Sequence, residues 1–223
     1  MSSTDGVLAA TYTLVLRIEP RTAANLGTAG SRVVVAKQGT TAAATVAWLV
    51  FEPRPRTIVR WQEAYGLYAV RDGLPMPAAF RDAAAIDRAV ERCLHPLLEN
   101  GFGTPVFVER IPPRHYDLQN ETLYKIACGL LQCALVDGEL IRSPINMTSI
   151  PPGYCGNFTR LTTVRAWIAE PLDRGIVVVV PADAVAISCD GDGAYRRELL
   201  YNAETARFVA SIDRRNSDDS NDN

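Results

Sequence analysis

The sequence predicts an all-β fold, an antiparallel β-sandwich with one inserted α-helix. Short β-branched runs recur about every dozen residues, and Gly and Pro clusters separate them, the spacing of a sandwich or barrel. Of the 223 residues 48% are hydrophobic, enough for a full core. Yet the longest apolar runs, such as 46–51 and 176–180, fall far short of the roughly 20 residues that cross a bilayer.

Each element follows from its pattern. From Thr11 to Ile18 the chain sets Tyr12, Leu14, Leu16 and Ile18 on one face and Thr11, Thr13, Val15 and Arg17 on the other, the period of a half-buried strand. Strands 32–36, 45–51, 57–61 and 65–70 follow, punctuated by Gly39, Pro53, Pro55, Gly73, Pro75 and Pro77. Between Arg81 and Asn100 the rhythm changes. Ile86, Val90, Cys93 or Leu94, and Leu97 recur at three or four with charged residues between them, which predicts an amphipathic helix over about 81–95, ended by Pro96. Further strands are expected at 104–109, 161–169, 175–180, 185–189, 198–201 and 208–212. The stretch 124–136 fits strand or helix, with Gly129 weakening either; the Asp137-Gly138 turn signal after it favours strand. The predicted unit runs from 8 to 212 as a single domain. Residues 213–223 form an acidic tail without apolar residues, expected to be disordered.

Lys and Arg total 23 against 25 Asp and Glu, a formal charge of −2. That balance leaves no reservoir for phosphate backbones and argues against nucleic acid. Asp5 and Gly6 stand where a signal peptide is most hydrophobic, so the chain reads as untargeted and cytoplasmic, with no membrane span. Five cysteines, an odd number, read as free thiols. Asn-x-Thr triplets at Asn120, Asn146 and Asn157 read as chance occurrences without secretion.

The blocks Ala47-Trp48-Leu49 and Trp61-Gln62-Glu63-Ala64-Tyr65, with Ser143-Pro144-Ile145-Asn146, Phe158-Thr159 and the Trp167 strand, are similar to rhizosphere-induced-protein-like sequences of bacteria and fungi. The resemblance covers about two-thirds of the chain in short motifs. It implies a compact β-sandwich and brings no catalytic residues; the 81–100 segment departs from it.

The chemistry-bearing residues support two function classes. His115, Tyr116 and Asp117 place a base, a phenol and a carboxylate side by side, an acid/base set if the loop 112–117 covers a cavity. Cys155 lies in a Gly-flanked turn, a candidate nucleophile if its pKa is lowered. Cys93 and His95 face apart on a helix. Cys128 and Cys133 lack zinc spacing, and the run 189–193 fails the calcium-loop pattern, so no metal site is expected. No nucleotide-binding glycine loop occurs and no cofactor is implied. Strand aromatics usually fill a core; exposed on a sheet face, Trp61, Tyr65 and Tyr68, with Arg71 nearby, would instead make a groove for a sugar or an apolar ligand. The leading expectation is a non-catalytic binding or self-assembling protein, a homo-oligomer through its sheet faces, recognising a carbohydrate or small apolar ligand. The rival is a cofactor-independent cyclase, isomerase or hydrolase-like enzyme with a hydrophobic substrate in an inter-sheet pocket.

Overall fold

The computed structural model of the protein describes residues 10–39, 43–73, 83–189 and 195–211. The tail 213–223, the run 190–193 and Arg81 lie outside the described residues. In chain order the first elements are β1 (Thr11–Arg17), α1 (Pro20–Thr28), β2 (Arg32–Gln38), β3 (Ala44–Thr45), β4 (Ala47–Phe51), β5 (Arg56–Gln62), β6 (Gly66–Arg71) and β7 (Ala84–Ile86). Then come β8 (Cys93–Leu98), β9 (Gly101–Phe102), β10 (Val106–Phe107), β11 (His115–Asn120), β12 (Ile126–Val136) and β13 (Glu139–Pro144). The last are β14 (Asn146–Ile150), β15 (Cys155–Thr159), β16 (Thr163–Ala169), β17 (Val185–Ser188), β18 (Tyr195–Asn202) and β19 (Arg207–Ala210).

The fold is therefore all-β, as its alternating sequence dictates, but the largest sheet is a curled half-barrel. It contains ten strands, with β12 at its centre. The first half of β12 pairs with β6 and β14, the second with β5 and β13. Both flanking chains break at the same level: Glu63 to Tyr65 separate β5 from β6, and Ile145 separates β13 from β14. An interrupted ladder lets a sheet bend. Side chains close the gaps, since Gln132 Nε2 donates to the carbonyls of Gln62 (2.7 Å) and Ala64 (3.3 Å), while Asn146 Oδ1 accepts the Leu130 N–H at 2.7 Å.

The other sheets among the described residues are a five-stranded one, ordered β10-β8-β11-β15 with β9 beside β8, and a four-stranded one, β17-β16-β2-β4. One core takes residues from all three, among them Leu14 and Trp61 of the half-barrel, Leu118 and Phe158 of the five-stranded sheet, and Val35 and Trp48 of the four-stranded one. The opposite face of β2 is also covered: Val34 and Ala36 pack with Ala47, Trp167 and Ala184 in a second cluster. That two-sided burial explains the uninterrupted Val33-Val34-Val35-Ala36 run.

Two expectations need correction. The predicted helix over 81–95 is absent from its described part. Ala84 to Ile86 form β7, and from Cys93 the period is two, with Cys93, His95 and Leu97 buried and Leu94, Pro96 and Leu98 on the other face. Cys93 and Leu97 satisfy both periods, so the pattern misleads there. The helix is instead α1, where Pro20 opens the first turn and the Glu19 carboxylate accepts the Arg21 (3.1 Å) and Thr22 (2.8 Å) N–H groups. The valine run 175–180 is not a strand; only Val177 bridges to Val46, and Val177 and Val179 face outward. Among the described residues no helix is long and apolar enough to cross a membrane.

Candidate functional site

The half-barrel decides the fate of the predicted aromatic groove. β5 turns Thr57, Val59 and Trp61 inward and Arg56, Arg60 and Gln62 outward. Trp61, Tyr65 and Tyr68 are 5%, 2% and 0% exposed, so the expected surface patch does not exist. Trp61 stacks on Tyr12 with centroids 5.3 Å apart and meets Trp48 edge-on at 5.6 Å. Tyr65 meets Tyr116 edge-on at 6.0 Å, and Tyr68, on the opposite face of β6, donates to the Asn146 carbonyl at 2.9 Å. Apolar burial accounts for all three.

Sequence reasoning missed the residue at the centre of this cluster. Lys37 is 1% exposed, and its Nζ lies 5.1, 5.3 and 5.4 Å from the ring centres of Trp48, Trp61 and Tyr65, without a hydrogen-bond partner. Burial lowers its pKa to about 8, against the pull of the nearby Glu63 carboxylate. The available signal was its place at the end of the Val33, Val35 face of β2.

The acid/base set does not converge either. Along β11, alternation sends Tyr116 and Leu118 into the core and His115, Asp117 and Gln119 to the other face. The Tyr116 hydroxyl donates to Glu91 at 3.3 Å, while His115 Nδ1 lies 2.9 Å from the Pro113 carbonyl. Asp117 accepts the Asn157 amide at 2.8 Å. Cys155 stands across from Gln119 and donates its thiol to Gln119 Oε1 at 2.6 Å; burial, then the Asp117 charge, pushes its pKa up, the reverse of nucleophile activation. The buried histidine is His95, whose Nε2 accepts the Val90 N–H at 3.1 Å with Nδ1 3.1 Å from the Asp117 carbonyl. Those contacts fix a neutral imidazole, and burial lowers its pKa.

Arg71 behaves differently. It ends β6 in the same alternation as Leu67 and Ala69, so it emerges from the inner face of the half-barrel at its rim. There the β6, β7 and β12 edge faces the β8–β9 hairpin of the five-stranded sheet across a recess of about 470 Å³. Ala69, Ala84, Leu97 and Ile126 give it an apolar floor. Arg71, Glu99, Asn100 and Tyr124 line it too. The Arg71 guanidinium sits 5.3 Å from the Tyr124 ring centre, a cation–π contact that orders its planar donors. Glu99 spends one oxygen on the Leu123 N–H (2.7 Å), and that contact fixes the carboxylate on the hairpin. Its other oxygen and the Asn100 amide make no hydrogen bond among the described residues, so one recess holds planar donors and acceptors with unspent capacity. Among the described residues no group of three or more His, Cys, Asp or Glu side chains could hold a metal ion.

Comparison of the chain with protein-family models, curated proteins and solved structures gives no match.

Proposed function

We propose that this is a non-catalytic binding protein that takes a small hydroxyl-rich ligand of the carbohydrate class in the recess between the half-barrel and the five-stranded sheet. One observation carries the reading: Arg71, Glu99 and Asn100 line a recess whose floor is Ala69, Ala84, Leu97 and Ile126. A sugar ring has an apolar C–H face for such a floor, and its hydroxyls each donate and accept, matching a guanidinium, a carboxylate and an amide together. About 470 Å³ suits a mono- or disaccharide and falls within the usual range of ligand pockets.

The catalytic reading has no comparable support, because its acid, base and thiol lie apart or are spent on neighbours. In the same proposal the four-stranded sheet is the second layer of a distorted sandwich closed over the half-barrel. That none of the five cysteines is in a disulfide supports a reducing compartment, the cytoplasm. The test is a glycan array followed by calorimetry with the best mono- or disaccharide. Arg71→Ala and Glu99→Ala should each weaken binding about tenfold or more, the worth of a hydrogen bond to a charged group. Equal binding by both variants, or no glycan bound, would overturn the proposal.

A further inference from the structure

The outer face of the half-barrel carries a second recess, unrelated to the first. Leu135 of β12 is paired with Leu140 of β13 on one side and Arg60 of β5 on the other, so the three side chains form a row across adjacent strands. Leu135 is 41% and Leu140 66% exposed, a large apolar pair left in water on a sheet face. Beside the row is a recess of about 330 Å³, lined also by Ala64, Ala134 and Cys133. On its far side Asp87 is neutralised by an ion pair with Arg142. Arg60, exposed, makes no ion pair or hydrogen bond among the described residues. The recess therefore offers an apolar wall and one uncompensated cation.

We infer that this outer recess binds a small amphipathic carboxylate, the carboxylate on the Arg60 guanidinium and the hydrocarbon on Leu135 and Leu140. Guanidinium and carboxylate match as a two-pronged hydrogen-bonded pair, which selects an anion over an alcohol or an amine. The volume accommodates a short chain or single ring, too little for a protein segment.

The test is calorimetric titration of the full chain with octanoate, octanol and octyltrimethylammonium. Octanoate binds in preference to the other two. Arg60→Ala weakens it about tenfold or more, Leu140→Asp abolishes it, and Arg71→Ala leaves it unchanged. Circular dichroism confirms that each surface variant is folded. The inference is overturned if octanoate does not bind, if the cationic ligand binds equally well, if Arg60→Ala has no effect, or if Arg71→Ala abolishes binding. A native mass showing a dimer that Leu140→Asp dissociates would also overturn it, assigning the face to a second copy.

Discussion

Asn146 occupies the space that a side chain at Gly129 would need. A Cβ added at Gly129 would lie 2.3 Å from the Asn146 carbonyl oxygen and 2.7 Å from Oδ1, while that Oδ1 accepts the neighbouring Leu130 N–H. The contact holds β14 against the bend of β12. The opposing atom at 2.3 Å is backbone, so the strand itself has to move to admit a methyl group. Gly129→Ala is expected to cost about 2 kcal/mol or more, read as a lower urea midpoint at unchanged m-value. A loss below about 0.5 kcal/mol would show that the close approach does not matter.

Lys37 makes stability depend on pH in a predictable direction. Its folded pKa, about 8, lies below the ordinary 10.5, so the unfolded chain binds more protons between those values and stability rises with pH across that window. The group sees Glu63, Arg160 and Cys189 as well as its three rings. Lys37→Met should remove this slope and raise stability at pH 7 by about 1–3 kcal/mol, because a methionine fills the cage without a buried charge. Paired urea titrations at pH 7 and pH 10 check it; a destabilised variant with the slope intact would contradict it.

Much of the fold was legible because alternation is a local property. β1, β5 and β6 fall within a residue or two of their predicted spans, and β12 emerged as a strand on the strength of the Asp137-Gly138 turn, whose two residues do take positive φ. What failed depended on distant partners. Whether Cys93 to Leu98 is helix or strand is decided by pairing with β11 and β10, and the short helix α1 shows only a cap and a proline in sequence. The site was less legible. Arg71 was a candidate from the start, but Glu99 and Asn100 come to line the same recess through packing of one sheet edge on another, which no spacing encodes. Trp61 and Tyr65 were misplaced because the curl of the sheet, absent from any local pattern, turns them inward, and Tyr68 because the other face of β6 is buried as well.

Asn120 is the polar anchor of the turn leading to Tyr124. Fully buried, it donates to the carbonyls of Tyr124 (2.9 Å) and Ile150 (3.0 Å) and accepts from the Thr122 N–H (3.0 Å) and hydroxyl (2.7 Å). Asn120→Ala strands those groups, so a loss of about 3 kcal/mol is expected in urea titrations. Because Tyr124 carries the Arg71 guanidinium, the same variant should also weaken glycan binding. A stable variant with intact binding would break the link.

His95 makes stability fall as the pH drops below neutrality. Its pKa is held below the usual 6.5, so the unfolded chain binds the extra proton first and stability falls as pH drops through 6.5 toward the folded value. His95→Gln should flatten the difference in urea midpoint between pH 7.5 and pH 5; an unchanged slope would place the acid sensitivity elsewhere.

The central claim is that the Arg71 recess binds a sugar. Its most direct measurement is a two-dimensional NMR titration of the ¹⁵N-labelled protein with the best saccharide from the array. Saturable shifts are predicted at residues lining the recess, including Arg71, Leu98, Asn100 and Gly101, and they should disappear in Arg71→Ala. Shifts confined to other surfaces, or the same shifts persisting in Arg71→Ala, would contradict it.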